Sequence, residues 1–217
     1  MVHISDGILS WPVWVSGWAI AIALIAVALW WSKKKGNMEE EIPKLSVMTA
    51  AFFVASLIHI PVGPTCVHFI LNGLVGIILG ILALPAIFIG VVLQAVLFQH
   101  GGITTIGINT VNMGIPALIA FCIFKWGNKM GTLLTRKDLS AGIFGALAGG
   151  VAVFLAVIFT AFSLILSGKE AFSAVAILLT VAHIPIIVVE AIVTGSIVVF
   201  LLRVKPELIG GLGGDEK

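Results

Sequence analysis

Eighty consecutive residues, Leu45 to Phe124, contain no Asp, Glu, Lys or Arg. No water-exposed domain can present such a surface, whereas three or four bilayer crossings of about 20 residues each account for it. The 217-residue chain is 60% hydrophobic and 10% charged, where a soluble domain typically carries about 25% charged residues. The class is therefore a polytopic, multi-pass membrane protein. A net charge of +2 gives no reason to expect a nucleic-acid partner. Cys66 and Cys122 are too few for a disulfide framework and are expected to be reduced.

Hydropathy and breakers predict an all-α fold of seven transmembrane helices, at about 11–31, 45–61, 67–84, 86–100, 110–127, 140–167 and 174–203. No basic residue precedes Trp11, so the first apolar segment reads as a retained helix rather than a cleaved signal. With the amino terminus outside, Lys33, Lys34, Lys35, Lys44, Lys125, Lys129, Arg136, Lys137, Arg203, Lys205 and Lys217 all fall inside, and Lys169 alone falls outside. That asymmetry predicts an outer amino terminus and a cytoplasmic carboxyl terminus. The expected organisation is a segment 1–10, one transmembrane domain 11–205 and a Gly-rich flexible tail 206–217. Ala51-x-x-x-Ala55, Gly73-x-x-Gly76-x-x-x-Gly80 and Gly142-x-x-Gly145-x-x-x-Gly149 are small-residue faces suited to close helix packing in lipid.

Polar residues inside such a chain mark function by default: His59, His68, Asn72, Gln94, Gln99, His100, Asn109, Asn112, His183 and Glu190. The expected helix ends put His59, His68 and His100 at the outer face, level with His3. In the opening Met-Val-His-Ile-Ser-Asp-Gly, an amine, backbone amides and the His3 imidazole lie within chelating distance of one divalent ion, and an all-nitrogen planar set suits Ni(II) or Cu(II). Asp6 is a candidate cap for the first helix. Glu190, mid-helix, needs a partner or a proton; a structural hydrogen bond and a transport role both fit it. No Gly-x-x-x-x-Gly-Lys-[Ser/Thr] loop, His-Glu-x-x-His helix or nucleophile elbow is present, so neither ATP hydrolysis nor an intramembrane enzyme is supported.

Met-x-His-Ile-x-Asp-Gly, Leu57-Ile-His59-Ile-Pro61-Val-Gly with Val67-His68, Phe98-Gln-His100-Gly-Gly-Ile-Thr-Thr-Ile-Gly-Ile-Asn109-Thr, and Glu190-Ala-Ile-Val-Thr-Gly195 resemble the nickel/cobalt-binding membrane subunits (NikM/CbiM type) of energy-coupling factor transporters. The Asp6-Gly7 pair resembles the nickel members. The resemblance implies a substrate-capture subunit in a prokaryotic plasma membrane, with a six-helix core and an extra amino-terminal helix. The transported ion, Ni(II) with Co(II) as runner-up, would be a substrate and not a cofactor. Its ligands would be the Met1 amine, the His3 amide and imidazole, and the His68 imidazole. Asp6, His59 and His100 would orient these ligands through hydrogen bonds. The implied partners are a membrane scaffold docking on the Ala51/Ala55 face, two cytoplasmic ATPases and a small companion membrane protein. An ATP-independent metal transporter is the alternative class.

The family pattern is Met-His; here Val2 lies between. Three outcomes are open: removal of Met1 restores the spacing, the terminal segment supplies all four donors without His68, or the pocket fails to close. The expectation is the third, because a preformed cavity tolerates an added side chain poorly.

Overall fold

In a computed structural model of the chain, the structure describes residues 3–36, 38–62, 65–131, 137–168 and 171–209. Seven α-helices form there: α1 (Trp11–Lys35), α2 (Met38–Ala55), α3 (Asn72–Leu79), α4 (Ala83–Phe98), α5 (Ile106–Gly131), α6 (Lys137–Leu166) and α7 (Ala171–Val204). Two short strands, β1 (His59–Val62) and β2 (Thr65–His68), pair antiparallel between α2 and α3.

The local reasons are readable. Pro12 sits in the first turn of α1, where its missing N–H costs nothing. Lys33, Lys34 and Lys35 extend α1 past the expected end, since cations suit a helix carboxyl terminus, and Gly36 closes it at φ 79°. Glu39, Glu40 and Glu41 open α2, again matching the helix dipole.

The second and third expected helices are corrected. α2 ends at Ala55, not near 61, and α3 starts at Asn72, not 67. Pro61 disfavours helix at the residue before it, and the segment pairs as a hairpin that sets His59 opposite His68. The break between the third and fourth helices falls at Gly80 (φ 56°, ψ −127°) rather than at Leu84-Pro85. Pro85 lies in the first turn of α4, where proline is tolerated. A straight helix over Asn72–Phe98 would be about 40 Å long, yet the His68 and His100 rings at its two ends are 6.4 Å apart. The segment doubles back at Gly80.

Among the described residues, five segments are long and apolar enough to cross a membrane by length and composition: Trp11–Lys35, Asn72–Phe98, Ile106–Met130, Asp138–Leu166 and Ser173–Val204, the second of them folded back on itself at Gly80. Every residue of α3 is buried, which makes it the centre of the bundle. Its glycines admit neighbours closely: a Cβ at Gly73 would lie 2.7 Å from the Gly149 Cα, and one at Gly76 would collide with the Ala117 carbonyl. The Gly142/Gly145/Gly149 face packs on Val199, Val198 and Thr194 of α7. These stripes serve packing within the chain. Ala55 is buried and Ala51 half-buried, so the open face of α2 carries Val47, Ala50 and Val54 instead.

Chain direction sorts the ends of the helices. The start of α1, the ends of α2 and α4 and the start of α3 gather at the histidines, and the Ser10 amide donates to the Ser167 hydroxyl just past α6. At their other ends, α1 carries Lys33–Lys35 and α5 carries Lys129, while Arg203 of α7 pairs with Asp138 of α6 at 2.9 Å.

Candidate metal centre

His3 is carried by the segment preceding α1 and His68 by the last position of β2. Both are buried, at 5% and 0% exposure. Their rings stack at 5.0 Å, and His3 Nδ1 stands 3.1 Å from His68 Nε2. Two cis ligands on one ion, each about 2.1 Å from it, would be about 3 Å apart. Nδ1 is also the nitrogen of His3 that closes a six-membered ring with its own backbone amide. On His68, Nδ1–H donates to the Phe69 carbonyl at 2.8 Å, leaving Nε2 with its lone pair toward His3. Burial pushes the His3 imidazole well below the ordinary value, helped by His68 and His100. Burial likewise lowers His68 to about 4. Both rings are thus neutral and ready to donate at neutral pH.

The segment carrying His3 is clamped by α5 and the loop before it. The Asn109 side chain accepts from the Ile4 amide (3.0 Å) and donates to the Ile4 carbonyl (3.1 Å), matching that peptide group as a partner strand would. The Thr105 hydroxyl donates to the same carbonyl. Asp6 accepts from the Ile103 and Thr104 amides and the Thr104 hydroxyl. The hydroxyl first, then the two amides, hold its carboxyl below the usual range. Asp6 therefore ties the segment to the loop instead of capping α1. Below the clamp, α1 crosses α5 at two glycines. A Cβ at Gly17 would lie 2.6 Å from the Ile108 Cβ, and one at Gly107 2.5 Å from the Trp18 Cα. The Trp18 indole donates to the Thr104 carbonyl.

His59 and His100 join the cluster by ring contact. His59 meets His68 edge-on at 5.8 Å and His100 at 5.0 Å. Among the described residues neither hydrogen-bonds to His3 or His68; the His59 Nδ1–H donates to the Leu57 carbonyl. Burial lowers the His100 imidazole, with His59 adding to the effect. The structure thus brings all four histidines together but assigns the orienting hydrogen bond of His68 to Phe69. Among the described residues, no three His, Cys, Asp or Glu side chains converge on one metal position. Met1 and Val2 lie outside the described residues. The Cys66 side chain does too.

Beside His3, a cavity of 290 Å³ is lined by His3, Ile4, Thr160, Leu164, Leu179 and His183, among others. The His183 Nδ1–H donates to the Leu179 carbonyl, and neither its Nε2 nor that of His3 has a protein partner among the described residues. Asn109 and Glu190 stand out in the sequence as buried polar residues, but no local signal names their partners. Those partners lie more than one hundred positions away.

Residues 3–208 match the family model "CbiM: Cobalt uptake substrate-specific transmembrane region". The chain belongs to the CbiM family. It is 30% identical over 238 residues to the cobalt transport protein CbiM of Clostridium tetani, covering 100% of this chain and 90% of that one. It is 34% identical over 213 residues to a Haemophilus influenzae protein provisionally named a metal transport protein, covering 96% and 97%. A crystal structure of a transition metal transporter superposes with a TM-score of 0.70 at 27% identity, covering 93% of both chains. A Methanocorpusculum labreanum relative, provisionally named a fused cobalt transport protein CbiMQ, is matched over 37% of its length. The chain is a multi-pass membrane component of metal uptake and not an enzyme, and its metal is cargo rather than cofactor.

Proposed function

We propose that the chain is the substrate-capture subunit of an energy-coupling-factor transporter and takes up Ni(II). The observation that carries this reading is the His3 Nδ1 to His68 Nε2 separation of 3.1 Å, with the His68 tautomer preset by Phe69. In this reading the Met1 amine and the His3 amide would complete a planar four-nitrogen set, which favours nickel. Asp6, which holds the segment in place, is part of the Asp6-Gly7 pair resembling nickel members. Cobalt is the second reading, and the printed names of several relatives favour it. In this reading all seven helices cross or line the membrane, the amino terminus lies outside and the basic helix ends lie inside, following the positive-inside rule.

Energy would come from a membrane scaffold and two ATPases, with a small companion membrane protein. The fused relative supports assembly with a further component. The deciding experiment is metal analysis of the purified chain after incubation with equimolar nickel, cobalt, zinc and copper. Stoichiometric nickel supports the reading; stoichiometric cobalt replaces the substrate, and zinc ends it, as does the absence of metal from both the chain and a variant lacking Val2. Metal flux through the chain alone in vesicles would favour an ATP-independent transporter.

A further inference from the structure

Glu190 lies in the middle of α7, fully buried, 120 and 119 positions from its partners Ile70 and Leu71 in sequence. Its carboxylate accepts from the backbone amides of Ile70 and Leu71, with both oxygens sharing the Leu71 N–H at 3.0 Å. These two amides follow directly on His68 and Phe69 and precede the first residue of α3. Leu71 is in the left-handed region, φ 53° and ψ 14°, which a branched apolar residue rarely adopts without outside support. An acceptor oxygen at that point also meets amides at the amino-terminal end of α3 that have no partner within the helix. The bend it secures fixes the Phe69 carbonyl, which in turn takes the His68 Nδ1–H. Three links thus run from α7 to the Nε2 that faces His3: Glu190, the Ile70–Leu71 amides and the Phe69 carbonyl. Neither α3 nor the neighbouring stretch Leu139–Leu166 of α6 contains a charged residue that could compete for Glu190.

We propose that Glu190 is a positioning residue for metal capture, acting through the peptide turn after His68 to aim the His68 Nε2 at the ion. The proposal rests on His68 being a ligand. Glutamine at this position keeps one acceptor oxygen for both amides, whereas alanine leaves two buried N–H groups without a partner.

The test is a double-mutant cycle on the full chain, reading nickel affinity and the visible absorption of the bound ion. Glu190→Ala is expected to weaken nickel about 10–100-fold, the range for loss of a ligand-orienting partner, and to shift the absorption toward that of His68→Ala. Glu190→Gln should stay near the parent. In the His68→Ala background, Glu190→Ala should change affinity less than about twofold, because the side chain it acts through is gone. An equal loss in both backgrounds, or a parental spectrum for Glu190→Ala, overturns the proposal. Should the alanine variant not fold, the same cycle with Glu190→Gln decides: any loss it shows must vanish in the His68→Ala background, and parental behaviour in both must accompany an unshifted spectrum. If His68→Ala itself leaves nickel binding unchanged, the capture reading fails instead, which separates the two.

Discussion

His3 and His68 present one ring nitrogen each to a common point, and the two differ in how they are held. His68 is fixed by its neighbour Phe69, while His3 depends on a segment clamped by Asn109, Thr105 and Asp6. His3→Ala removes the imidazole donor and should abolish stoichiometric nickel in metal analysis while the helical content stays parental. Asp6→Ala breaks three hydrogen bonds to the Ile103–Thr104 loop and should raise the nickel Kd about 10–100-fold. His59→Ala and His100→Ala, which lose ring contacts to the cluster and no hydrogen bond to His3 or His68, should cost less by the same titration. Acid acts in a definite order. With His68 held down to about 4, its protonation does not oppose binding between pH 5 and 8, and burial lowers the His3 imidazole in the same direction. The loss there belongs to the amine, whose ordinary value is about 8, and to the amide. Titrations from pH 8 to 4 should therefore show a second steepening near pH 4, and acetylating the amine should reduce the slope above pH 5. Both imidazoles are depressed on folding, so their contribution to stability is present above about pH 6.5 and is lost as pH falls toward 4. Thermal unfolding over that interval checks the sign.

At the scale of elements, the site is assembled by α1 lying close against α5. Gly17 against Ile108 and Gly107 against the Trp18 backbone leave no room for a side chain, and this contact brings the segment before α1 over the histidines. Gly107→Val should push α1 away, lowering nickel affinity at least tenfold without touching a ligand; calorimetric titration and the Trp emission together would report it. Asn109→Ala should behave similarly, because the Ile4 amide loses its acceptor and the Ile4 carbonyl keeps only the Thr105 hydroxyl. The β1–β2 hairpin plays the corresponding part for His68, and its register places His59 opposite.

At the scale of the molecule, the histidine end and the basic end lie at opposite extremes of the bundle. The proposed orientation predicts that trypsin added to inside-out vesicles cuts at Lys33–Lys35 and Lys129, and that trypsin outside intact cells spares them. The reverse pattern would invert the topology and place capture on the wrong side for uptake. Val2 bears on the same whole-site closure. The two imidazoles meet at 3.1 Å in a chain that contains Val2, so the added residue is compatible with a closed imidazole pair; whether the amine reaches the ion is decided by comparing nickel affinity with and without Val2, each with His68→Ala. An affinity gain of tenfold or more on deletion is the expected outcome.

Membrane class, the helical segments and the two ends of unlike character are legible in the sequence, because hydropathy, breakers and lysine placement act locally or by composition. The opening His3 and the His59, His68 and His100 motifs are legible too, as short runs of unusual residues. Tertiary structure alone decided the rest. Pro61 and Pro85 look alike as breakers, yet one sits in a strand and the other in a first helical turn. The reversal falls instead at Gly80, where Phe121 packs against a backbone bent to positive φ. Asn109 and Glu190 are visible as polar residues in apolar surroundings, but their partners, Ile4 and the Ile70–Leu71 turn, are 105 and about 120 positions away. Burial forces such groups to find a hydrogen bond; only the packing of α5 and α7 against the site determines which one.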